Sequence, residues 1–433
     1  MKGQKVIVLL CSLLLAGAGN AAWAGGKVEQ GGTAATQGKV TFSFWHLDTT
    51  EPDRSFWKDL ADQYMQQHPN VTIQITVLEN EAFKTKLATL MQSGDPPDLF
   101  RSWGGGVMIE YAKAGLLRDI TSYVKGTAWG ASMSPGVEAV YQYNGRQYGM
   151  PYDMGAVTFW YNKDMLSKAG YSSFPATDSD FRALMPKLKS TGVIPISLAE
   201  GDKWPGMFYW AYLAMRVGGK DPFNKVLAGT GKFTDPTFVQ AGDDLLQLVK
   251  LSPFQQGYLG AVQRDGAALV GNGKAAMELQ GQWAPGLEQA SSTSGKGIGD
   301  KLGTARFPAL EGGKGAVTDV LGGGNGYSLG KNAPDAAVDF LKFITNLKNN
   351  TAMAATGTIV PTVIGADAGL KDPLLKDVKK FVDQAGYFQL YLDQFFAPAV
   401  GSAINDAVQR IFAGTATPAQ AAASIQTVLE QNQ

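Results

Sequence analysis

Residues 40–100 switch twice between two hydrophobic periods, and that alternation narrows the fold more than any other feature of the chain. Val40, Phe42 and Phe44 alternate with Thr41, Ser43 and Trp45, the period-two pattern of a strand. Pro52 then opens a segment in which Phe56, Trp57, Leu60 and Tyr64 recur at helical spacing until Pro69 ends it. Val71, Ile73, Ile75 and Val77 return to period two, and Phe83, Leu87, Leu90 and Met91 return to helical spacing until Gly94. Strand, helix, strand, helix in that order calls for parallel strands with helices laid across the sheet, so the expected class is α/β. The chain has 433 residues, more than the roughly 250–300 at which a single core stops growing, and two domains are expected.

The pattern continues downstream. Residues 155–161 read as a strand entering a second β/α region, with helices over 178–189 and 239–250. Residues 317–329 look extended, Pro334 starts a helix carrying Val338, Leu341, Ile344 and Leu347, and Thr417-Pro418 caps a last helix with Ile425, Val428 and Leu429.

The first 24 residues read as an export signal. Lys2 and Lys5 precede an apolar run, and Ala22-Trp23-Ala24 fits the small-residue cleavage pattern. Cys11 lies behind Val8-Leu9-Leu10, inside that run, where no lipidation signal is expected. Its removal leaves no cysteine, so burial rather than disulfides must stabilise the exported chain. Residues 25–38, rich in glycine, threonine and glutamine, read as a flexible tether. The expected location is the periplasm. With 38 basic and 38 acidic residues, the charge balance argues against nucleic acid or an anionic surface as partner. After the signal no apolar run approaches the roughly 18 residues that span a bilayer. Residues 207–215 come nearest, and no membrane insertion of the mature chain, a monomer, is expected.

Several catalytic readings fail on composition. No glycine-rich stretch carries the lysine and hydroxyl of a phosphate loop, and 271–276, the nearest dinucleotide-like glycine pattern, reads as a turn between packed elements. Residues 326–330 match G-x-S-x-G around Ser328, but that hydrolase arrangement needs a histidine downstream, and His46 and His68 both lie upstream. Two histidines and no cysteine leave no zinc cluster and no metal site, and no cofactor is expected. A glycoside hydrolase stays open as the alternative, because it needs only two carboxylates a few ångströms apart.

What remains is a set of aromatic residues that periodicity does not explain. Trp45 adjoins His46 and Asp48, Trp103 precedes glycines 104–106, Tyr152 and Asp153 follow Pro151, Trp204 precedes Pro205, and Trp283 follows Gly281. Trp57 sits inside an apolar stripe, as core tryptophans do, whereas these flank segment ends. Together they suggest a sugar site, since a pyranose offers C–H faces to aromatic rings and hydroxyls to polar groups. The glycines at 104–106 and 322–324 are expected to make room for that neutral ring.

At these residues the chain resembles the extracellular solute-binding proteins of ABC importers, the sugar-binding family that includes maltose-binding protein. The resemblance rests on Gly94-Asp95-Pro96-Pro97-Asp98-Leu99-Phe100, Ala114-Gly115-Leu116-Leu117-Arg118-Asp119, the run 144–153, Tyr161-Asn162-Lys163-Asp164, and 273–283 ending in Gly281-Gln282-Trp283. Ser102-Trp103 with its glycines and the stretch 387–393 look nearest to members that take up xylobiose or similar β-linked disaccharides.

The resemblance implies a two-lobed periplasmic-binding-protein fold, with a ligand cleft between the lobes and three hinge crossings near 153–158, 317–324 and 358–361. It implies an N-terminal lobe of 39–153 and 322–360 and a C-terminal lobe of 154–321 and 361–433. Ligand contacts would come from Trp45, His46, Asp48, Asp98 and Trp103 of the first lobe, although Asp98 also suits a turn. Tyr152, Asp153, Gly324 and Asn325 would contribute from the crossings, and Trp204, Trp283 and Asp393 from the second lobe. The implied function is capture of a neutral di- or trisaccharide, without chemistry, for the transmembrane permease subunits of an ABC importer.

Overall fold

The computed structural model describes residues 38–134 and 136–432. The export signal and nearly all of the tether read from the sequence lie outside the described residues.

The strands are β1 (Val40–His46), β2 (Val71–Val77), β3 (Leu99–Ser102), β4 (Gln142–Tyr143), β5 (Arg146–Gln147), β6 (Gly149–Ala156), β7 (Thr158–Asn162), β8 (Ile194–Ile196), β9 (Ala275–Gln280), β10 (Leu302–Ala305), β11 (Val320–Leu329) and β12 (Phe388–Leu390). The first sheet runs β12-β11-β3-β1-β2, with β6 also on β11, and the second runs β10-β7-β9-β8. β4 and β5 form a separate hairpin. β1 is parallel to β2 and β3, as the β-α-β-α reading requires, whereas β11 runs antiparallel to β3 and β6. This is the two-sheet α/β architecture expected from the sequence.

Each sheet organises a core. Phe42 and Phe44 point from β1 into a cluster with Trp57, Leu60 and Tyr64 of the helix Asp53–Gln67 and with Phe340 and Leu341 of the helix Asp335–Ile344. Gly94, at φ 77°, ends the helix Asn80–Ser93 as expected. The second core surrounds the helix Trp204–Gly218, whose residues 204–216 are all buried. A helix apolar on every side belongs inside a protein, and the helices Pro236–Lys250, Pro398–Phe412 and Pro418–Gln431 pack on it or on each other. Among the described residues no helix is long and apolar enough to cross a membrane.

Two local expectations are corrected. Residues 155–161 are not one strand, because β6 ends at Ala156 in the first sheet and β7 starts at Thr158 in the second. Val157 stands at the change of sheet, fully buried, and its N–H donates to the Leu321 carbonyl. The helix after Pro334 stops at Ile344, so Leu347 does not continue its stripe. Thr345 donates back to the Leu341 carbonyl, and the Asn346 side chain caps a new helix, Leu347–Ala354, on which Leu347 is exposed. The turn expected at 271–276 joins the helix Gln263–Gly271 to β9.

Candidate ligand-binding cleft

Parallel strands place their carboxyl ends, and the loops after them, on one side of a sheet, where α/β proteins bind ligands. Asp48 follows β1, Glu79 follows β2 and Trp103 follows β3, and all three line a cavity of about 540 Å³. Other parts of its lining come from the elements around the second sheet. Trp204 opens the helix Trp204–Gly218, and Trp283, just after β9, opens the helix Ala284–Ser291. In each case a proline fills the first turn, where its missing N–H costs nothing. Tyr152, Asp153 and Asn325, on the paired strands β6 and β11, also face the cavity.

Four rings form one aromatic wall. Trp204 and Trp283 have centroids 6.2 Å apart at 71°, Trp283 and Tyr391 6.2 Å apart at 66°, and Phe208 and Tyr391 5.6 Å apart. Trp103 joins the lining separately, edge-on to Phe83 at 6.1 Å and with Lys84 Nζ 5.7 Å from its ring centre.

Polar groups fill the remainder. Asp48 Oδ2 accepts from Trp57 Nε1 at 2.6 Å and lies 3.6 Å from Arg101 Nη1, which also donates to Tyr152 Oη. The buried Asp153 carboxylate accepts from Asn325 Nδ2 at 2.6 Å, from the Val360 N–H at 2.8 Å and from Gln282 Nε2. Burial raises its pKa to about 6, against the pull of those donors. Burial and the neighbouring Asp48 raise Asp53 to about 7, while Thr358 Oγ1 donates to it at 2.6 Å.

Of the residues singled out from the sequence, the fold brings Asp48, Trp103, Tyr152, Asp153, Trp204, Trp283, Asn325 and Asp393 to this cavity. Trp45, His46, Asp98 and Gly324 lie outside its lining. Trp45 faces the other side of β1, packed with Phe83, Leu87 and Phe100. His46 is buried, its Nδ1 accepts the Asp48 N–H at 3.3 Å, and burial lowers its pKa to about 4, so it is a neutral brace for the turn after β1. Asp98 takes the turn role, accepting from the Ser43 N–H at 2.8 Å and from Ser43 Oγ at 2.9 Å. Gly324 is internal to β11, and its carbonyl accepts from Tyr141 Oη at 2.8 Å.

The glycine triplets serve the chain rather than a ligand. A Cβ at Gly104, Gly105 or Gly106 would come within 2.6 Å of the carbonyl oxygens of Val140, Gln394 and Phe395 respectively, and Gly104 and Gly105 have φ of 68° and 64°. Gly322 and Gly323 admit the Gly155 carbonyl and the Tyr391 ring in the same way. Ser328 is a buried residue of β11, the strand serine expected.

Sequence reasoning missed Phe208, Tyr391, Gln282, Arg101, Asp202 and Asp265, all in the lining. Phe208 was hidden in the apolar run 207–215. Gln282 and Tyr391 stood inside motifs already quoted, beside the tryptophan and the aspartate that drew attention.

The profile of the bacterial extracellular solute-binding protein family matches residues 48–351. The chain belongs to that family, whose members bind a solute rather than transform it. It is 28% identical over 389 residues to an uncharacterized ABC transporter extracellular-binding protein of Pyrococcus horikoshii, covering 86% of this chain and 84% of the relative. It is 24% identical over 357 residues to the diacetylchitobiose binding protein of Streptomyces coelicolor, covering 81% and 80%. Among solved structures, a protein from a study of xylan utilization by Caldanaerobius polysaccharolyticus superposes with a TM-score of 0.84 at 30% identity, covering 89% of this chain and 99% of that one. A chitin oligosaccharide binding protein gives 0.83 at 23% identity, covering 91% and 98%, a likeness of fold.

Proposed function

We propose that this chain is the sugar-capturing component of an ABC carbohydrate importer, working outside the cytoplasmic membrane, in the periplasm, and delivering a neutral di- or trisaccharide of the xylobiose type to the transmembrane permease subunits. The observation that carries the reading is the wall of Trp204, Phe208, Trp283 and Tyr391 in one cavity with Trp103. Such rings offer stacking faces for pyranose C–H groups, while carboxylates and amides receive the hydroxyls. The cavity volume of about 540 Å³ falls in the range of roughly 300–1,000 Å³ common for small-molecule sites. One relative that binds diacetylchitobiose and a neighbour from xylan utilization support a β-linked oligosaccharide.

Capture works by differential affinity, because a sugar touching both lobes favours the arrangement in which both reach it. The lobes are 39–153 with 322–360, and 154–321 with 361–433. Arg264 Nη2 lies 3.2 Å from Glu79, so an ion pair joins the elements on either side of the cavity and favours the closed arrangement.

Calorimetry across mono-, di- and trisaccharides tests the reading, with a dissociation constant near 1 μM corresponding to about −8 kcal/mol. Trp103→Ala and Trp283→Ala are each expected to weaken binding at least about tenfold. Wild-type affinity in both variants overturns the site. Chromatography after prolonged incubation is expected to return the sugar intact, and new reducing ends would favour a glycoside hydrolase instead.

A further inference from the structure

The cations of the cavity lining are Lys84, Arg101 and Arg264, and each is already held by protein groups. Arg101 pairs with Asp48 and donates to Tyr152. Lys84 Nζ lies 3.3 Å from Glu81 and 3.6 Å from Asp393. Arg264 lies 3.2 Å from Glu79. Each of these cations already faces at least one protein carboxylate.

The carboxylates are in the opposite position. Nine of them line the cavity against those three cations, and five are met by neutral donors alone. Glu51 accepts from the Ser55 N–H, Asp53 from Thr358, Asp153 from amides, Asp202 from the Gln263 N–H at 2.7 Å, and Asp265 from the Val262 N–H at 3.1 Å. Among the described residues none of these five has a cation within ion-pair distance. Burial raises the pKa of Asp202, the Gln263 N–H and Lys84 pull it back, and the negative charges of Glu81 and Asp265 add to the rise.

From this arrangement we infer that the cleft selects its sugars by charge, accepting uncharged oligosaccharides and rejecting those that carry a uronate, with Asp202 and Asp265 as specificity determinants. The inference rests on the sugar-binding reading above. A sugar hydroxyl donates to a carboxylate and completes its hydrogen bonding. The carboxylate of a uronate is acceptor-only, adds a negative charge to a surface already in excess, and finds only cations that already face protein carboxylates.

The test uses matched disaccharides, xylobiose against glucuronosyl-xylose and cellobiose against cellobiouronic acid, by calorimetry on the mature chain. For the pair whose neutral member binds, the uronate form is expected to bind at least about tenfold more weakly at about 20 mM salt, and the gap should narrow at about 0.5 M, where exposed charges are screened. In the double variant Asp202→Asn/Asp265→Asn the ratio of the two affinities should fall at least about threefold. Equal or tighter binding of the uronate overturns the inference. A gap unchanged by both salt and substitution also overturns it, because that pattern is steric exclusion. The salt series on the wild type stands even if the variant fails to fold. If no sugar of either kind binds, the sugar-binding reading itself has failed, an outcome distinct from loss of charge selectivity, and this inference falls with it.

Discussion

At Asp48 one carboxylate holds the floor of the cleft together. Trp57 Nε1 donates to it at 2.6 Å and Arg101 stands 3.6 Å away, while its own N–H is taken by His46. Trp57 is fully buried, edge-on to Tyr152 at 5.1 Å and to Tyr327 at 5.3 Å, so its ring packs and its N–H anchors. Trp57→Phe keeps most of the packing and removes the donor. Loss of a hydrogen bond to a half-buried charge, with some lost volume, is expected to cost about 2–3 kcal/mol in urea unfolding. A loss under about 0.5 kcal/mol would mean that Arg101 alone satisfies Asp48. The stripe that buries Trp57 was legible in the sequence, because it depends only on spacing within one helix. The indole's partner was not, since no periodicity relates a helix to the loop before it. The same limit explains the glycines at 104–106, where residue type was read correctly as a sign of close approach but the approaching carbonyls of Val140, Gln394 and Phe395 came from distant segments.

Among the elements, the segment between β10 and β11 shows how a loop is made rigid without secondary structure. Arg216, fully buried on the helix Trp204–Gly218, donates to the carbonyls of Phe307, Pro308, Ala316, Val317 and Asp319. Its guanidinium also lies 5.9 Å from the Phe307 ring centre and 5.3 Å from that of Tyr212. The planar fork spreads five donors across these acceptors, and an ammonium does not. Arg216→Lys is therefore expected to destabilise the chain by about 2 kcal/mol or more in chemical denaturation, and to speed proteolysis within 306–319 before the rest of the chain is cut. Unchanged stability would show that the loop holds itself. Elements with one wet face were the legible ones. β2 and the helix Asp53–Gln67 alternate or repeat as they do because solvent lies on one side, and β1 does so at its start, before both faces are covered at 44–46. β6, β7 and β11 are buried almost throughout, so nothing in their composition marks where one sheet ends and the next begins, and the break at Val157 stayed hidden.

For the whole molecule, length and composition were enough to expect two cores, but not the acids inside them. Glu278, on the wholly buried β9, and Glu288, on the helix Ala284–Ser291, are neighbouring carboxyls that act on each other away from solvent. Burial lifts Glu278 from its ordinary 4.5 to about 7, and burial together with the charge of Glu278 lifts Glu288 well above the carboxylate range. A carboxyl whose pKa is raised by folding binds more protons folded than unfolded, so its contribution is fully present below about pH 4.5 and is lost as pH rises toward and through 7. His46 acts in the opposite sense. Its pKa falls from 6.5 to about 4, so its share is present above 6.5 and is lost as pH drops through 4. The balance predicts a stability maximum on the acid side of neutrality and a decline toward pH 8. Glu288→Gln isolates the pair, since the amide keeps the size and supplies a donor to Glu278 without an ionisable group. Its melting temperature relative to wild type is expected to be near parity at pH 5 and several degrees higher, about 3 °C or more, at pH 8. A difference equal at the two pH values would show that folding does not raise the Glu288 pKa, and the decline toward pH 8 would then need another source.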